Sequence, residues 1–280
     1  MTIFVRSKHV LSCCLDRVTL YHSYIIYDRT ILWIVFVSKR INFFINHLVI
    51  SFFIALIIIW VIFYLWYPAP LEKAVGVTNI FLMMLAIDVV IGPALGLLVY
   101  KEGKKTLKLD LTVIILLQVL ALVYGLYNIA KGRPVWIVQN ENLFELVRYN
   151  DLVSDGIEKA APQYQDPSWL KPQFVTIKQA KTMADQNKLV FEAVMSGTSL
   201  SMRPEYYTSL NLENRKMIEN AQNLKALLEF NEPEKVQKIL SKNSEADAWL
   251  PLRATSVDMV VLINKEKREV VKIVDLRPWK

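Results

Sequence analysis

Few residues in this chain have the type and spacing that chemistry requires. Its histidines are His9, His22 and His47 and its cysteines Cys13 and Cys14, so everything after residue 47 lacks both an imidazole base and a thiol nucleophile. Two adjacent cysteines make neither a disulfide framework nor a four-ligand zinc site. Ser196-Gly197-Thr198-Ser199 supplies hydroxyls, but the G-x-S-x-G elbow, a histidine partner and a Ser-x-x-Lys spacing are all missing, and the stretch reads as a turn. Phosphate-loop, haem-attachment and calcium-loop sequences are also missing. The expectation is a protein without catalytic residues, metal or cofactor.

The group that stands out is Asp88, because it lies inside a long apolar segment. A charged side chain at the centre of a bilayer costs roughly 2.5–3.5 kcal/mol on insertion scales, so Asp88 must face other helices or stay protonated. Asp110, Thr112 and Gln118 on the following apolar segment are its candidate partners. One reading is a proton relay or binding site; the other is an interhelical hydrogen bond that fixes packing. Packing is the stronger reading, since no second deep acid or base completes a transport path. One turn further on, Gly92 and Gly96 form a small-xxx-small pattern that allows close helix approach, and Pro93 frees a backbone carbonyl. Asp88, Gly92, Pro93, Gly96, Asp110 and Gln118 are thus the candidate helix-packing or partner-contact residues.

The elements that must position them are three membrane spans, at about 47–67, 78–100 and 109–130. Leu48 to Tyr67 carries no charge, and its 20 residues reach about 30 Å, the thickness of the hydrocarbon core. Trp60, Tyr64, Trp66 and Tyr67 mark a headgroup boundary, and Pro68 and Pro70 end the helix. Lys39 and Arg40 before the first span, and Lys101, Lys104, Lys105 and Lys108 after the second, are the basic flanks that stay in the cytoplasm. Between the first two spans Glu72 balances Lys73. Three crossings then send residues from about 131 onward outside, to the periplasm of a Gram-negative cell, although Lys131 and Arg133 at that exit oppose the rule.

The net charge of +7 is no nucleic-acid footprint, because residues 131–280 hold 22 Lys and Arg against 20 Asp and Glu. This segment, 132–280, reads as an α+β domain. Val135 to Val138 and Leu143 to Val147 form an opening hairpin, and Met259 to Ile263 with Glu269 to Val274 a closing one around a solvated Asn264 to Arg268 tip. Ile177 to Gln186, Leu210 to Phe230 and Glu232 to Ser241 read as helices, the last with Pro233 in its first turn. Pro162 to Pro172 reads as an ordered irregular loop whose Tyr164 and Trp169 either pack over the core or meet a partner. Residues 1–36 fit poorly, because charges interrupt their apolar runs. The expectation is a mis-annotated or disordered extension, with translation beginning at Val37 and the three-span region occupying 37–131.

The spans resemble the TfpX/TfpZ family of type IV pilin accessory proteins. The matching stretches run from Ser38-Lys39-Arg40-Ile41 through Trp66-Tyr67-Pro68, then from Ala74-Val75-Gly76-Val77-Thr78 through Asp88-Val89-Val90-Ile91-Gly92-Pro93. They continue with Leu107-Lys108-Leu109-Asp110, and with Tyr124-Gly125-Leu126-Tyr127 through Gly132-Arg133-Pro134-Val135-Trp136. The similarity weakens in the C-terminal domain, though the closing Leu276-Arg277-Pro278 fits. The resemblance implies a non-enzymatic inner-membrane accessory that promotes pilin stability or pilus assembly, with pilin or an assembly protein as partner besides the lipid bilayer. Two other classes stay open: a transporter or enzyme centred on Asp88, and a sensor whose exported domain reads a ligand.

Overall fold

The computed structural model describes residues 39–178, 182–210 and 215–280. The readings made for residues 1–36 and for Val37 lie outside them. Three long helices come first. Helix α1 is described from Lys39 to Trp66, α3 runs Val77–Val99 and α4 Leu107–Lys131, each long and apolar enough to cross a membrane. Helix α1 starts well before the apolar run that marks it, because Lys39, Arg40, Asn42 and Asn46 are compatible with helix even though they are too polar for the hydrocarbon. The last turn of α1, Val61–Trp66, is π-helical and closes with the Tyr67 N–H donating to the Ile62 carbonyl at 2.7 Å. A second π turn, Ile87–Ile91, interrupts α3 just before Pro93, whose ring supplies no N–H. Gly92 donates to the carbonyl of Ile87 instead.

The chain divides into two compact units, and α1, α3 and α4 contribute to both. In the first unit, residues 39–54 pack with 86–121. The Arg40 Nε donates to the Leu97 carbonyl at 2.6 Å, Lys39 pairs with Glu102 at 2.5 Å, and Lys104 pairs with Asp110 at 2.6 Å. The two basic flanks therefore meet at one end of these helices.

The second unit joins Ala55–Leu85 to Leu122–Lys280. Its centre is an eight-stranded mixed sheet in the order β4-β3-β1-β2-β6-β7-β8, with β5 pairing to β6. The strands are β1 (Pro134–Asn140), β2 (Leu143–Arg148), β3 (Gln173–Ile177), β4 (Tyr207–Ser209), β5 (Gln222–Asn223), β6 (Ala248–Arg253), β7 (Met259–Asn264) and β8 (Glu269–Val274). Both hairpins expected from the sequence are present and antiparallel. Strand β7 is buried along its whole length because both faces of the sheet are covered: Met259, Val261 and Ile263 face one cluster, Val260 and Leu262 another.

Other elements depart from the sequence expectations. Ile177 belongs to β3, where Val175 pairs between β1 and β4; the helix that follows is Met183–Ser196 and ends at Gly197. The β-branched run Val175-Thr176-Ile177 favours the pleated surface that β1 and β4 offer. Among the described residues of the expected helix Leu210 to Phe230, Arg215–Asn220 is α-helical and is followed by β5 and by the 3₁₀ segment Leu224–Glu229. Here tertiary pairing overrides propensity: Gln222 and Asn223 pair with Trp249 and Ala248, and the Trp249 indole donates to the Asn223 carbonyl at 3.0 Å. Pro162–Gln165 is a short helical turn rather than irregular loop, with Pro in its first turn. The helix Pro233–Leu240 lies as expected and packs Val236 into the core.

The largest departure is the connection between the first two spans. Residues Leu71–Val75 form a short helix, α2, that supplies part of the domain's own core. Leu71 is 3% exposed and Ala74 0%, packed with Ile137, Phe144, Leu250 and Met259 on one face of the sheet. The Ala74 carbonyl accepts from the N–H groups of Ser256, at 2.9 Å, and Val257, at 3.2 Å. Gly76 ends α2 with φ +77°, and a Cβ there would meet the Ser256 Oγ at 2.8 Å. This turn needs glycine on both counts.

Lys73, beside these contacts, donates to the Asp275 carboxylate at 3.1 Å, and Lys235 and Arg277 lie on the same carboxylate. Burial by itself raises the Asp275 carboxyl, but the Lys73 hydrogen bond and the charges of Lys235 and Arg277 outweigh it and hold the group below the usual carboxylate range. A folded value below the unfolded one, about 3.9, gives stability that is present above that pH and is lost as pH falls through the folded value. Acid melting curves should therefore separate the native chain from Asp275→Asn at neutral pH and bring them together in strong acid. A constant gap across the whole pH range would show that the charge on Asp275 is not responsible.

A candidate site within the membrane helices

In the first unit, α3 and α4 meet where a bulky side chain passes a glycine. Gln118 lies across Gly92: a Cβ built on Gly92 would fall 1.5 Å from the Gln118 Nε2. That amide donates to the backbone carbonyl of Asp88 at 3.2 Å. The π turn at Ile87–Ile91 and Pro93 after it alter the local ladder, and the Asp88 carbonyl is left to accept from a neighbouring helix. Among the described residues, Asp88 Oδ2 and Gln118 Oε1 are both buried without a hydrogen-bond partner.

Gly96, one turn beyond Gly92, receives α1. A Cβ there would be 2.9 Å from the Phe43 ring and 3.6 Å from His47 Nδ1. The rings of Phe43 and His47 lie 5.8 Å apart, edge to face, and Phe43 also meets Tyr100 at 5.5 Å. Both glycines of the small-xxx-small pattern are thus covered by side chains of the same chain. Of the six residues singled out from the sequence, Asp88, Gly92 and Gln118 come together, Gly96 and the buried Pro93 extend the same face, and Asp110 stands apart. Asp110 closes the start of α4 with Thr106 and Lys104.

Sequence reasoning missed Phe43 and His47, whose i,i+4 spacing on α1 was the available signal. It also missed α2, although Leu71, Ala74 and Val75 follow an i, i+3, i+4 apolar pattern. Arg133 was read as a topology signal against the general rule. In the structure it is 3% exposed and lies between two rings, 4.6 Å from the centroid of Tyr149 and 4.5 Å from that of Trp169. Its Nη1 caps the end of α4 on the Ala130 carbonyl at 2.8 Å. The Tyr67 hydroxyl donates to the neighbouring Ile129 carbonyl at 2.7 Å. Among the described residues no three His, Cys, Asp or Glu side chains gather where a metal ion could be held.

The fimbrial assembly protein FimB family matches residues 35–76, a stretch that ends at the close of α2. A fimbrial assembly protein of Dichelobacter nodosus serogroups C1 and C2 is 31% identical over 116 residues, which are 41% of this chain and 88% of that protein. The chain belongs to the fimbrial assembly protein family. Its likeness reaches into the C-terminal domain: the serogroup E1 fimbrial assembly protein of the same organism is 27% identical over 228 residues, and that of serogroup I 26% over 228. Each of those alignments covers 78% of this chain and 88% of the relative. No solved structure matches. The resemblance to type IV pilin accessory proteins agrees with this kinship. This member of the fimbrial assembly family is accordingly a membrane protein with a role in fimbrial assembly.

Proposed function

We propose that the protein is a non-enzymatic accessory of the inner membrane that stabilises type IV pilin or promotes its assembly by direct contact. The observation that carries this reading is the kinship with fimbrial assembly proteins along both the spans and the C-terminal domain. Two features of the molecule support it. The basic residues Lys39, Arg40, Lys101, Lys104, Lys105 and Lys108 flank one end of the spans, so the positive-inside rule puts that end in the cytoplasm and the domain in the periplasm. In addition, α2 makes the Trp66 end of α1 continuous with the domain's core, which suits a holder for a subunit with one helix in the bilayer and a head outside it.

In this reading Gly92, Pro93, Gly96 and Gln118 pack the spans against one another, and the Asp88 carboxyl is what remains to meet a donor on the partner's helix. Deleting the gene should abolish surface pili and lower cellular pilin, and returning it should restore both, as read by immunoblot and twitching motility. A restored copy carrying Asp88→Leu should insert at normal level yet return few pili. Unchanged pili and pilin in the deletion strain would refute the accessory role. Normal piliation with Asp88→Leu would remove only the helix contact.

A further inference from the structure

The domain carries an apolar tip beside the interfacial end of the spans. In the segment from Pro162 to Pro172, Tyr164 is buried against Trp136 and Tyr207, with ring centroids 5.8 Å and 6.1 Å away, and so ties the segment to the sheet. Trp169 and Leu170 lie at the other end of the segment and are 66% and 55% exposed. The Trp169 ring lies 6.4 Å from that of Trp66, the last residue of α1. Near the same end, α1 and α4 expose Trp60, Tyr64, Tyr124 and Tyr127.

An exposed tryptophan and leucine side by side are costly in water, whereas the boundary between headgroups and acyl chains accepts an indole readily. The tip is continuous with the surface that the spans already present to lipid. We propose that Trp169 and Leu170 form a lipid-interface anchor, seated in the headgroup–acyl boundary of the leaflet reached by the Trp66 end of α1. Arg133, stacked under the Trp169 ring, holds the anchor at that depth. The domain is then fixed to the membrane at α2, at the end of α4 and at this tip, leaving its remaining surface to face its partner.

The test uses the full chain with Cys13 and Cys14 replaced by serine, and a bimane probe on Leu170→Cys or, for comparison, on Glu266→Cys at the exposed β7–β8 turn. Each variant is placed alone in nanodiscs of phosphatidylethanolamine and phosphatidylglycerol, with and without lipid bearing a nitroxide near the headgroup. The expected result is a blue-shifted emission at position 170 relative to 266, and loss of its intensity on adding the nitroxide lipid while the probe at 266 is unaffected. Equal responses at the two positions overturn the proposal. So does a blue shift at 170 without nitroxide quenching, which would mean that protein rather than lipid covers the tip.

Discussion

Gly92→Leu is expected to lower the stability of the full chain by about 1–3 kcal/mol, the usual range for forcing side-chain atoms into a filled site. The Gln118 amide already occupies the space a Cβ would take, and moving it gives up the hydrogen bond to the Asp88 carbonyl. That bond contributes about 0.6 kcal/mol if it behaves like others measured between membrane helices. The same geometry predicts a compensation. Gly92→Ala should destabilise the native chain, yet be tolerated when Gln118→Ala has removed the amide, so the two changes should be strongly non-additive. Thermal unfolding of the purified protein in nanodiscs reads both effects. Simple additivity would mean that Gln118 does not cross Gly92 in the membrane.

A substitution in the short connection between two spans should unfold a domain that begins some 60 residues later. Leu71→Ala removes a fully packed side chain from the face of the sheet formed by Ile137, Phe144, Leu250 and Met259, and a loss of about 2–4 kcal/mol follows from the usual cost of such a cavity. For a unit of this size that is a fall of roughly 5–15 °C in melting temperature. The measurement is limited proteolysis of the domain against temperature in membranes, followed by immunoblot with an antibody to the C-terminus. Unchanged protease resistance would show that the domain folds without α2. Gly76→Ala is a second reporter of the same contact, since it adds both a strained φ and a collision with Ser256 while leaving the apolar surface intact.

These two expectations concern contacts that no local pattern announces. Leu71 and Met259 are nearly two hundred residues apart, and the short connection reads in isolation as a balanced pair of charges between spans. Pro251 has a similar history. A proline in the middle of a run argues against a central strand, and β6 was not anticipated. Pro251 falls between the residues that pair with β5 and those that pair with β2, where that side of the ladder asks for no N–H. Asp88 was recognised as an anomaly from its surroundings, but its relation to Gly92 and Gln118 depended on the rotation of α4 about its own axis.

The sequence by itself determined the three spans, because each is an apolar run long enough to cross the hydrocarbon as a helix, and the α+β class of the domain, because hairpins and capped helices carry local signals. It also isolated the few polar groups that a hydrocarbon setting makes costly. Only the tertiary structure decided that α2 completes the domain's core, that Gln118 covers Gly92, and that Arg133 caps α4 between two rings. The physical reason is range. Transfer into lipid and backbone propensity act within one turn or one segment, whereas close packing is settled by whichever distant side chain fills the remaining space.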